Sequence, residues 1–193
     1  ARASIRKKGR EKTIIRLAEQ SLKLRESADG YFLIAFAKKD LKDYQGAINA
    51  YGQSIEIDSN HPYSYTNRGN IRYLLKDYKG AIKDHDKALY LAPRLAIAYV
   101  NRGNPKDDSG DHQGAIDDYN KALEIDPSSA LAYYNRGLTK SNLSDYQGAI
   151  DDYNRAVEID PKHVNAYVNR GSAKDKIGDY HGAIVDHTKA LEI

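Results

Sequence analysis

The sequence contains no cysteine. That excludes disulfides, thiolate metal sites and cysteine nucleophiles together, and it suits the cytoplasm or another reducing compartment. No apolar run reaches the length of a membrane span, and no signal-peptide pattern opens the chain. Phosphate-binding glycine loops, zinc-protease motifs and nucleophile elbows are also missing, so no cofactor and no enzymatic activity are expected. The stretch "DDSGDH" at 107–112 has neither the ligand spacing nor the closing glutamate of a calcium loop. Neither sign of charge dominates: the net value is +3 over 193 residues.

What is present is 40% apolar and 30% charged, the balance of a folded soluble chain. The small net charge hides an asymmetry. Residues 1–16 carry seven basic side chains and one acid, Glu11, a local +6 that leaves −3 for the rest. A basic arm of this kind can meet nucleic acid or an anionic membrane, or can simply be a solvated terminus. A steep salt dependence lost on deleting residues 1–12 would distinguish the two.

From residue 28 onward the sequence repeats. Gly69, Gly103, Gly137 and Gly171 lie 34 residues apart, as do Ala47, Ala81, Ala115, Ala149 and Ala183. Tyr31, Tyr65, Tyr99, Tyr133 and Tyr167 keep the same period, which marks a stacked-repeat architecture. Within each period two helix-length segments flank a break that ends in aspartate: Asp43, Asp77, Asp111, Asp145 and Asp179. Each aspartate precedes "YxGAI" or "HxGAI" and reads as the N-cap of a second helix. Pro93, Pro127 and Pro161 come just after that helix, where proline stops one.

These residues, Tyr-x-x-Arg-Gly followed by Ala-x-x-x-Tyr/His-x-x-Ala and then Pro, resemble the tetratricopeptide repeat (TPR) family, with tyrosine in place of the usual tryptophan. The style is closest to bacterial, cyanobacterial-like arrays. The resemblance implies an all-α solenoid, a right-handed superhelix of helix-turn-helix units. Five units are expected at 28–61, 62–95, 96–129, 130–163 and 164–193, after a basic arm at 1–12 and a capping helix or degenerate half repeat at 13–27.

In this family the first helices line a concave groove, and the resemblance implies a scaffold or adaptor that holds a protein or peptide ligand there. The groove positions carried over are Phe32 and Phe36 in the first unit, and Tyr63, Thr66, Asn70 and Tyr73 in the second. The third gives Val100, Asn104, Asp107 and Asp108, the fourth Leu131, Tyr134 and Leu138, and the fifth Val168. The sixth position is asparagine four times, at Asn67, Asn101, Asn135 and Asn169. An amide both donates and accepts, so such a ladder can pair with a peptide backbone, as in other superhelical members of the family, or can bond within its own helix. Positions where some members grip a terminal carboxylate with lysine hold no basic residue here, so a clamp of that kind is not expected.

Two departures from the family pattern carry their own expectations. Arg68, Arg102, Arg136 and Arg170 precede the glycines, each with a second cation four residues on, and Asp84, Asp118, Asp152 and Asp186 stand in the second helices. Arg–Asp bridges are expected, since stacked cations on one helix face repel. The first unit has Ile34 and Ala50 at these places. The third unit carries Pro105 inside its first helix, Ser109 where others have leucine or isoleucine, and His112 in place of tyrosine. An interior proline costs about 3 kcal/mol, and a lost buried leucine a further ~2–5 kcal/mol. That unit is a tolerated weak repeat, or else a hinge or a shaped mid-groove site with Asp107 and Asp108 facing a basic ligand. His85 and His187 take the place of core tyrosines. The chain opens at Ala1 and stops at Ile193 within the last second helix, which raises two alternatives. One is a regulatory segment of a larger protein; the other is self-assembly into a homo-oligomer through an uncovered end face.

Overall fold

The computed structural model describes residues 9, 12–16, 20 and 27–193. Most of the expected arm at 1–12 and capping helix at 13–27 lies outside the described residues; residues 12–16 are helical. From Ala28 onward the chain forms ten helices: α1 (Ala28–Asp40), α2 (Tyr44–Ile57), α3 (Pro62–Leu74), α4 (Tyr78–Leu91), α5 (Ala96–Asp108), α6 (His112–Ile125), α7 (Ala130–Asn142), α8 (Tyr146–Ile159), α9 (Val164–Lys176) and α10 (Tyr180–Glu192). No strand occurs among the described residues. The fold is all-α and of the solenoid class, with each odd-numbered helix paired to the next. We call these pairs repeats one to five. They fall into two compact units, one ending at Pro93 and one spanning Arg94–Ile193.

Local chemistry sets the helix ends. The five aspartates cap the even-numbered helices: each Oδ1 accepts the backbone N–H of Gly46, Gly80, Gly114, Gly148 or Gly182 at 2.9–3.0 Å. The odd-numbered helices use other caps. Ser27 and Ser129 accept through hydroxyls, His61 and His163 through ring Nδ1, and Leu95 makes no side-chain cap bond. Between paired helices the chain passes through the left-handed region at Lys42, Lys76, Gly110, Ser144 and Gly178. Glycine adopts that conformation without the Cβ penalty met by the other three residues.

The core is built from alanines and flat rings. Ala149, Ile150, Tyr153 and Ala173 pack together in repeats four and five, and Ile34, Ala47, Ala50, Tyr51 and Ile71 in repeats one and two. Gly137 lets a ring approach closely, since a Cβ there would come within 2.8 Å of Tyr153. Two expectations are corrected. His85 is fully buried, but His187 is exposed on α10, the last helix described, on which no later helix packs. The Ser109 slot is not a core position, because Leu75, Leu143 and Ile177 at the same place are each 49% exposed. Repeat three therefore loses no buried leucine there, and Ser109 instead donates its hydroxyl to the Lys106 carbonyl.

Pro105 is buried inside α5, and the helix continues only to Asp108. Proline removes one backbone donor. Here the missing donor is the one that would reach the Asn101 carbonyl, four residues back in the same helix.

Candidate functional site

The first-helix face of the unit ending at Pro93 is built by α1 and α3. Phe36 and Tyr63 stand on it 44% and 53% exposed. Lys39 Nζ sits 4.2 Å above the Phe36 ring, a cation–π contact. Phe32 is half-buried, with its ring centroid 5.6 Å from Tyr51 and 5.2 Å from His61. Asn70 is half-buried, and Tyr73 rests against Tyr78. Thr66, expected in the groove, is instead buried and returns its hydroxyl to the Pro62 carbonyl at 3.0 Å. Asn67 donates Nδ2 to the Tyr63 carbonyl of its own helix at 2.8 Å. Leu33 fills the asparagine slot of repeat one and is 50% exposed, an apolar contributor that reading by family position overlooked.

A second feature overlooked in the sequence is His61. Its Nδ1 lies 2.8 Å from Ser64 Oγ and its Nε2 is 3.7 Å from Asp29 Oδ1, an Asp–His–Ser order. The arrangement is a cap rather than a nucleophile: the same Nδ1 accepts the Ser64 N–H, and Ser64 Oγ is buried against Ser54 Oγ at 2.8 Å. The signal that could have found it is register, since His61 and His163 occupy the slot of the caps Ser27 and Ser129.

In the unit from Arg94, the first-helix face comes from α5, α7 and α9. Leu131 and Val168 are 44% and 38% exposed, and Tyr134, Asn135, Leu138 and Asn169 are half-buried. Val100, expected in the groove, is buried instead and packs with Ala115, Tyr119 and Ala132. Asn101 and Asn104 are half-buried on α5. The acidic pair divides: Asp107 is held by His112 Nδ1 at 2.7 Å, while Asp108 is exposed. Asp107 is thus engaged within the chain, against the expectation of a carboxylate facing a ligand.

The amides of this face bond between repeats. Asn135 Nδ2 donates to Asn104 Oδ1 at 2.9 Å, which also receives the Tyr119 hydroxyl at 2.9 Å. Asn169 Nδ2 donates to the Tyr134 hydroxyl at 3.0 Å. The Tyr134 ring lies 4.6 Å from His163 and 6.0 Å from Tyr153. Burial raises the pKa of the Tyr134 hydroxyl, and the Asn169 bond partly offsets this.

The expected Arg–Asp bridges form within each of repeats two to five. Arg68, Arg102, Arg136 and Arg170 each place Nε 2.9 Å from an oxygen of the buried Asp84, Asp118, Asp152 or Asp186 of the same repeat. The second cation, Arg72, Lys106, Lys140 or Lys174, reaches the same carboxylate at 2.8–2.9 Å. Each guanidinium also lies over a tyrosine ring: Tyr65, Tyr99, Tyr133 or Tyr167. Among the described residues no cluster of three or more metal-ligating side chains forms, and no helix is long and apolar enough to cross a membrane.

Comparisons with known proteins agree with this geometry. A model described as a TPR repeat matches residues 37–76 and 108–144, and one described as the tetratricopeptide repeat matches 62–95 and 130–163. A crystal structure of MamA is similar at 28% identity and a TM-score of 0.75, over 82% of this chain and 93% of that one. A MamA segment from Desulfovibrio magneticus RS-1 is 22% identical with a TM-score of 0.76, over 86% of this chain and 93% of its own. YrrB, described as a TPR protein with an unusual peptide-binding site, is 20% identical with a TM-score of 0.71, over 91% of each chain. The last two likenesses speak for the fold alone. A comparison with curated protein sequences gives no match.

Proposed function

Because this chain belongs to the tetratricopeptide-repeat family, we propose that it is a protein-interaction scaffold that takes a peptide or partner helix on the face of its first helices. One observation carries the reading: in each unit apolar or aromatic side chains stand exposed on the first-helix face, Leu33, Phe36 and Tyr63 in the one and Leu131 and Val168 in the other, beside amides that can meet a backbone. A helix face without a partner has no need of such residues. YrrB, which shares the fold, is described with a peptide-binding site, and this supports the same use here. The reading is of a binding protein and not an enzyme.

The test is a peptide-display selection on the whole chain, repeated with Phe36→Ser/Tyr63→Ser and with Asn101→Ala/Asn135→Ala. Peptides that bind the parent and are lost in one or the other double variant are expected. Failure to enrich any peptide would remove this reading.

A second reading rests on α10. Ile184 is 64% exposed where Ile150, at the same place in α8, is 6%. Leu191 is 89% exposed where Val157 is 7%. This face suits stacking on another copy. Light scattering should then show a mass that rises with concentration and falls to the monomer in Ile184→Asp/Leu191→Asp; a constant monomer mass in the parent would dismiss it.

A further inference from the structure

We propose that repeat two carries a second docking site, separate from the first-helix face, where Arg68, Lys83 and Lys87 take a carboxylate of an acidic protein segment. The site is an open cleft of about 470 Å³ between α3 and α4, with Tyr65 and Tyr90 in its walls. None of these five residues is a groove position, so the site stands or falls independently of the peptide-binding reading above.

A guanidinium has five N–H donors. Arg68 gives two of them, from Nε and Nη2, to Asp84 at 2.9 and 2.7 Å. The other three have no partner among the described residues, although the side chain is only 17% exposed. In later repeats the Nη1 donor is answered from the preceding second helix. Arg136 Nη1 donates to Asn120 Oδ1 at 2.6 Å, and Arg170 Nη1 to Asn154 Oδ1 at 2.8 Å. Gly52 stands in that slot of α2. A Cβ there would lie 3.8 Å from Arg68 Nη1 with no atom nearer, so repeat two has room for the missing acceptor and lacks it.

Two further exchanges change the charge of the cleft. Lys121, Arg155 and Lys189 each pair with a glutamate three residues on. Lys87 has Tyr90 there instead, with its Nζ 4.9 Å from the ring centre. Lys83 stands where repeats three and four have Asp117 and Asp151. Neither lysine forms an ion pair among the described residues. The cleft thus sets three cations against two carboxylates, Asp84 and Asp86, where the same places in repeats three and four hold two cations against three carboxylates. One surplus positive charge matches one carboxylate. The Arg68 plane is fixed by Asp84 and by the Tyr65 ring 5.7 Å away, so its remaining donors point in a set direction, as recognition of a planar oxyanion requires. The cleft is larger than a bare ion, and its tyrosine walls suit the methylene stem of an acidic side chain.

The test is a backbone-amide NMR titration of the full chain with an acetylated, amidated peptide of alternating glutamate and glycine, beside the same peptide with glutamine. The glutamate peptide should give saturable shifts at Lys83, Lys87 and Tyr90, and the glutamine peptide none. Gly52→Asn supplies the amide that Arg136 and Arg170 already have and removes no cation. It should weaken the binding about 10-fold, the worth of one hydrogen bond to a charged group. Lys87→Gln should weaken it about 2- to 5-fold, the worth of a partly exposed charge. Unchanged affinity in either variant overturns the site. Shifts that are confined to the basic N-terminal residues, or absent altogether, overturn it as well. Inorganic phosphate that shifts these amides where the glutamate peptide does not would assign the cleft to a free anion and overturn the protein partner.

Discussion

Repeat one buries Ile34 and Ala50 where repeat four buries Asp152 and tucks in Arg136 and Lys140, yet both fold as a 13-residue helix followed by one of 14. The framework is common to both: an aspartate cap, a left-handed turn residue, an interior alanine and a tyrosine ring. What varies is the filling between the two helices, an apolar pair in one case and a carboxylate shared by two cations in the other. The difference teaches that the ion cluster is an alternative filling and not a requirement of the backbone. Buried ion pairs are often no more stable than apolar residues of similar volume, because desolvation offsets the attraction.

The largest effect that would break the comparison is Asp152→Ala. It leaves Arg136 and Lys140 without their shared carboxylate and should cost about 3–5 kcal/mol in denaturant unfolding. Pro105→Ala comes next. If α5 forgoes a backbone hydrogen bond at the proline, the variant should be more stable by up to about 3 kcal/mol; an unchanged midpoint would mean that the helix end relaxes around the ring. The double exchange Arg136→Ile/Asp152→Ala turns repeat four into a likeness of repeat one, in which Lys38 stands 4.0 Å from the cap Asp43. Its stability should fall within about 1 kcal/mol of the parent or above it, and a loss as large as that of Asp152→Ala would show that the two fillings are not interchangeable. Lys76→Gly should stabilise by about 1 kcal/mol, since Lys76 holds φ 62° where repeats three and five use glycine.

The last comparison concerns acid. Burial alone would raise the Asp186 pKa, but the hydrogen bonds and charges of Arg170 and Lys174 more than offset it and hold the carboxyl below its usual value. A depressed folded pKa adds stability that is fully present above the ordinary carboxylate range and is lost as pH falls through the folded value. Asp186→Asn should therefore be less stable than the parent at neutral pH, with the gap narrowing on acidification. A gap that stays constant with pH would contradict this.

Much of this architecture is legible in the residues. Period, caps and paired helices follow from Gly, Ala and Asp recurring in register, and the Arg–Asp bridges follow because both partners are missing together from repeat one. The candidate face was less legible. Positions alone do not reveal that Thr66 and Val100 turn inward, that Asp107 meets His112, or that asparagines chosen for a ligand already bond to Tyr63, Asn104 and Tyr134. Such outcomes depend on side-chain rotamers and on contacts between neighbouring repeats, which a single repeat does not encode.

The aspartate cap and the glycine three residues after it form a latch with a consequence for how such a chain can change. A Cβ added at Gly46, Gly80, Gly114, Gly148 or Gly182 would collide with the carboxylate that caps the same helix. Replacing the glycine first makes the capping carboxylate shift, and replacing the aspartate first leaves a backbone N–H unanswered. Neither step is neutral alone, so this pair resists drift one residue at a time.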